Sequence, residues 1–140
     1  MNQRTTAGRG PVLTTVAILM ALLAISNFSK PFTQAADPGG SAGFVFFGHR
    51  LHGLANAIAG PLFGVLLAAY AWGVWHLRSW VLPLAIGYAA YVVVNLVLYF
   101  GRASAADSPG IVFGMIYALV AIGVSSGGAI YLFLHRDRLR

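Results

Sequence analysis

Apolar residues fall along the chain in four long runs, separated by short segments that hold every charged residue. The runs cover residues 12–28, 54–75, 80–101 and 111–134. At about 1.5 Å rise per residue their lengths correspond to roughly 26–36 Å of helix, which matches a hydrocarbon core of about 30 Å. Each run is predicted to be a transmembrane helix.

The interruptions are rich in helix-breaking and polar residues. Ser29 to Gly43 holds Lys30, Pro31, Asp37, Pro38 and a Gly-Gly pair, and is predicted to be a loop. A positive flank followed by a modest apolar run also describes a secretory signal peptide, with Thr33-Gln34-Ala35 as the cleavage site; retention gives four spans and cleavage three. We expect retention. Phe44 to Phe47 form an aromatic patch suited to the membrane interface, as a short amphipathic helix or the first turn of a long second helix. Pro61 lies inside the second run, deletes one backbone hydrogen bond and is expected to kink the helix near Asn56 to Ala59. Trp72, Trp75 and Trp80 frame the far end of that run, as indoles do at the headgroup level. His76 to Ser79 then leaves room only for a tight turn, so the third helix should return antiparallel beside the second. Asp107-Ser108-Pro109 has the form of a helix start before the fourth run. The predicted fold is a single all-α membrane domain, an antiparallel four-transmembrane-helix bundle with its second helix kinked at Pro61.

Composition agrees with lipid as the main solvent. The 140 residues are 59% hydrophobic and only 9% charged, whereas about a quarter of a soluble domain is charged. The net charge of +6 does not indicate nucleic acid, because the cations sit at the ends of apolar runs rather than in a basic stripe. Arg4, Arg9, Arg78, Arg136, Arg138 and Arg140 fall on one side of a four-span topology, against Lys30, Arg50 and Arg102 on the other. The positive-inside rule therefore places both termini in the cytoplasm. Abundant Ala, Gly, Val and Arg suggest GC-rich bacterial coding, hence an inner (plasma) membrane. The absence of Cys excludes disulfides, thiolate metal sites and thiol redox chemistry within the chain.

Helices already in lipid associate through close packing, so small residues mark their contacts. Gly60 and Gly64 extend a stripe with Asn56 and Ala68 on the second run, while Gly123 and Gly127 lie on the fourth beside Ser125 and Ala129. Both stripes are candidates for packing within the bundle or for self-association.

One set of residues suggests a polar site. Tyr88, Tyr91, Asn95 and Tyr99 recur at spacings of three and four on the third run, which puts them on one helix face. The topology sets Asn27, Asn56 and Asn95 in the same outer half, beneath Lys30, His49, Arg50, His52 and Arg102. An outer-facing pocket built from Arg50, His49, His52, Asn56, Asn95, Tyr91 and Tyr99 would suit an anionic headgroup, a quinone or another amphipathic molecule. The competing reading makes the amides interhelical hydrogen-bond glue and lets the cations reach lipid phosphates.

His49 and His52 lack further ligands for a metal site, and His76 with His135 is the one pair conceivable for bis-His haem. No metal or cofactor is expected. With neither a nucleophile elbow nor a phosphate-binding Gly loop, no catalysis is expected either. The expected role is a non-catalytic membrane component, either a homo-oligomer or an accessory subunit, with lipids and membrane-protein subunits as partners. The alternative is binding or transport of an amphipathic or anionic small molecule.

Overall fold

The computed structural model describes residues 10–38, 43–102 and 111–140. Four helices dominate: α1 (Gly10–Ala36), α2 (Gly53–Trp75), α3 (Val81–Arg102) and α4 (Ile111–Leu134). All four are long and apolar enough to cross a membrane, the architecture of an integral membrane protein. The Asp107-Ser108-Pro109 helix start lies outside the described residues.

Helix α1 is the longest at 27 residues and continues past Lys30 and Pro31, where the sequence suggests a loop. The missing N–H of Pro31 frees the carbonyl of Asn27 from its helical partner. That oxygen faces α2 at Gly60, where an added Cβ would stand 3.1 Å away. One turn along, a Cβ on Gly64 would lie 3.1 Å from the Phe28 ring and 3.2 Å from the Ala24 carbonyl. The absence of two side chains lets the backbones approach, and α1 packs chiefly against α2 while α3 packs chiefly against α4. Helix α2 is continuous through Pro61.

The core lies toward the α2–α3 turn. Leu13, Val16 and Met20 of α1 meet Leu67, Tyr70 and Val74 of α2, Val81 and Ala85 of α3, and Ala129 and Leu132 of α4. Helix α2 ends with Leu77 at φ +54°, and the Arg78 N–H reaches the Gly73 carbonyl while the Leu77 N–H reaches that of Val74. This Schellman arrangement satisfies the last carbonyls before α3 begins. After a short 3₁₀ turn (Arg136–Arg138), Arg140 folds back onto it: its N–H donates to Leu77 O at 2.7 Å and its carbonyl accepts from Ser79 N at 2.8 Å.

Between α1 and α2 the aromatic patch is neither an amphipathic helix nor a first turn of α2. It forms a hairpin of β1 (Val45–Phe46) and β2 (His49–Arg50), antiparallel, with Val45 opposite Arg50 and Phe46 opposite His49. The two connecting residues, Phe47 and Gly48, have φ of +46° and +80°, the signs required by a type I′ turn. That turn matches the twist of paired strands, so Phe47-Gly48 supports a hairpin where helical periodicity would be sought in vain.

Candidate functional site

The hairpin rests against α1, α2 and α3 at one end of the molecule, and those helices hold it through its backbone. From α2, Asn56 is fully buried; its Oδ1 accepts from Phe44 N at 2.7 Å and its Nδ2 donates to Lys30 O at 3.3 Å. From α3, the Tyr91 hydroxyl donates to Val45 O at 3.0 Å, Asn95 Oδ1 accepts from Gly48 N at 3.0 Å, and Arg102 Nη1 donates to Phe47 O at 2.7 Å. The Tyr99 hydroxyl accepts from Arg50 Nη2 at 3.2 Å. Residues 91, 95, 99 and 102 are spaced four, four and three apart, so α3 presents one polar stripe along the hairpin.

From α1, Lys30 Nζ donates to Gly43 O at 3.2 Å, and Gln34 spans the entry to α2. Its Nε2 donates to Leu51 O and contacts His52 Nδ1, each at 3.1 Å, while its Oε1 accepts from Gly53 N at 3.1 Å. An amide donor opposite His52 Nδ1 requires that nitrogen to be an acceptor, so the proton of a neutral ring sits on Nε2. The same reasoning places the proton of His49 on Nδ1, because its Nε2 lies 3.0 Å from Arg102 Nη1, which can only donate.

Aromatic rings fill the space under the strands. Phe63 of α2 stands 4.9 Å from Phe44 and 5.0 Å from Tyr91, and Phe47 meets Tyr91 edge-on at 5.5 Å. Gly48 is pressed onto α3, where a Cβ would lie 2.7 Å from the carbonyl carbon of Leu98. Beside the hairpin, a cleft of about 370 Å³ opens between the ends of α1 and α2, lined by Pro31, Gln34, Ala35, Pro38, His52, Gly53 and Ala57.

Arg50, His49, His52, Asn56, Asn95, Tyr91 and Tyr99 are thus brought to one end, but around a segment of the chain itself. Asn27 does not join them: its Nδ2 donates to Leu23 O of its own helix, and its buried Oδ1 has no partner. Gln34 belongs to the cluster as well, carried there by the part of α1 that the sequence predicts to be loop. Its signal is the recurrence of Asn27, Lys30 and Gln34 at spacings of three and four, visible only if the helix is carried through Pro31.

The two other histidines serve their own helices. His76 Nδ1 lies 2.9 Å from Trp72 O, and His135 Nδ1 lies 3.0 Å from Tyr131 O with its ring stacked on Tyr131. Among the described residues no three His, Asp or Glu side chains gather as metal ligands would. Gly60 and Gly64 lie at the α1–α2 contact, whereas Gly123 and Gly127 are exposed, with nothing within 4 Å of an added Cβ. No known family, curated protein or solved structure matches this chain.

Proposed function

We propose that this protein is a non-catalytic component of a bacterial inner membrane, with both termini cytoplasmic, acting as a homo-oligomer or as an accessory subunit of a larger assembly. In this reading the helices form an antiparallel bundle, with α2 bent at Pro61. The order of contacts between α1 and α2 supports the antiparallel arrangement, since Gly60 stands opposite Asn27 and Gly64 opposite Ala24.

The observation that carries the proposal is the exposed face of α4. Ile116, Val120, Gly123, Gly127, Ile130 and Leu134 are all exposed and recur at alternating spacings of four and three. That is the spacing of a helix-pairing seam, and its centre is a Gly-x-x-x-Gly that lets a second helix come close. Facing lipid, two helix-interior glycines would only weaken α4, by about 1 kcal/mol each relative to Ala.

A chain without cysteine makes the test clean. Ile130→Cys should cross-link into dimers in native membranes, Gly127→Ile should suppress that cross-link, and Ala121→Cys, on the covered side, should not react. Equal reaction at all positions, or none together with a lone monomer in native mass spectrometry, would reject association through α4. A defined heteromeric complex in the same spectrum would select the accessory-subunit form.

The second reading, a polar pocket for an amphipathic or anionic molecule such as a quinone, ranks lower. Asn56, Asn95 and Tyr91 already hold the hairpin backbone.

A further inference from the structure

We propose that Lys30 and Arg50 form a binding site for a phosphate group at the membrane boundary, filled by the phosphodiester of an anionic lipid headgroup. The two side chains flank Gly43: Lys30 Nζ donates to its carbonyl, and an added Cβ there would stand 3.0 Å from Arg50 Cγ. Both side chains are half-buried, and burial first and the Arg50 charge second disfavour the charge on Lys30.

Burial and a neighbouring cation both disfavour a charge held there, and an anion bound between the two side chains relieves that penalty. The chain supplies only Asp37, Asp107 and Asp137. Asp37 is exposed, Asp137 lies at the opposite end beyond α4, and among the described residues neither cation is ion-paired with a carboxylate.

Donors remain for a ligand. The Lys30 ammonium has three N–H groups and among the described residues uses one, on Gly43 O, with the Phe44 ring 5.6 Å from Nζ. The Arg50 guanidinium has five and among the described residues uses one, on Tyr99. A phosphate oxygen pair matches the planar fork of Arg with Lys as a second point charge.

Depth decides the source. Lys30 stands about 30 Å along α1 from Gly10, one hydrocarbon thickness, and Arg50 ends β2 just ahead of Leu51, His52 and the start of α2. Both charges therefore fall where lipid phosphates lie. Arg102, on the same stripe of α3 as Tyr99, is already engaged with Phe47 O and His49.

The test uses the full-length protein in dodecyl maltoside micelles, which contain no phosphate. Dioleoylphosphatidylglycerol should raise the thermal unfolding midpoint by at least about 3 °C, and dioleoylglycerol, with the same chains and no phosphate, should not. Lys30→Gln and Arg50→Gln should each lose the phosphatidylglycerol shift, while Arg136→Gln/Arg138→Gln at the opposite end should keep it. An equal shift with inorganic phosphate alone would keep the site and reassign its source to the free ion. No shift of the wild type with either phosphate, or a full shift retained in both Lys30→Gln and Arg50→Gln, would overturn the proposal. The wild-type arm reads out even if a variant fails to fold.

Discussion

Two buried asparagines in apolar helices have opposite consequences. Asn56 Oδ1 accepts from the Phe44 N–H at 2.7 Å, while its other partner, Lys30 O, also accepts from Thr33 Oγ1 at 3.0 Å, so Asn56→Leu strands one buried donor in an apolar setting. A loss of about 1–2 kcal/mol in reversible SDS unfolding is expected, larger than the average membrane side-chain hydrogen bond because the Phe44 N–H is left buried without its acceptor. Asn27 bonds only to Leu23 O, a carbonyl already inside the α1 ladder, and its Oδ1 is unpaired. Asn27→Leu should therefore fall within about 0.5 kcal/mol of wild type or above it in the same assay. Tyr70 follows the same logic: its ring fills the core beside Tyr88, but its buried hydroxyl has no partner, so Tyr70→Phe should not destabilise. The sequence marks both asparagines as costly in lipid but does not say which is repaid. That depends on where a distant backbone segment lies, and neither spacing nor composition specifies the position of Phe44 relative to Asn56.

At the level of elements, what was legible followed from the length of the apolar runs. An uncharged run of membrane thickness has few alternatives to a helix, so α2, α3 and α4 lie within a residue or so of their expected bounds. The end of α1 was obscured because Lys30 and Pro31 are local stop signals, overridden here by packing against the glycines of α2. The hairpin was illegible for another reason: strands of two residues are too short to show a period. Its dependence on one residue is testable. At Gly48 both the positive φ and the contact with the Leu98 backbone forbid a Cβ, so Gly48→Ala should cost about 2 kcal/mol or more and expose the Val45 to Arg50 amides to hydrogen exchange. Gly53 also has positive φ but open space around it, so Gly53→Ala should cost only the backbone term, about 1 kcal/mol.

For the whole molecule, the hairpin couples two helix pairs that otherwise share little. Helix α1 is packed on α2 and α3 on α4, and the pairs meet in the core near the α2–α3 turn, where Arg140 also closes onto Leu77 and Ser79. At the opposite end the link is the hairpin: it belongs in sequence to the α1–α2 pair and is gripped by Tyr91, Asn95, Tyr99 and Arg102 of α3. Those bonds connect groups more than forty positions apart, so they tie the pairs together in a way the loops do not. Removing two of them should uncouple the pairs without dissolving either. In Tyr91→Phe/Asn95→Leu the single SDS-unfolding transition expected of the wild type should split, α3 and α4 losing protection from hydrogen exchange before α1 and α2. Each single variant should cost about 1 kcal/mol and leave one transition. A double variant that still unfolds in one step, with exchange rising together in all four helices, would mean that the core near the turn alone sets cooperativity and that the hairpin is only a cap.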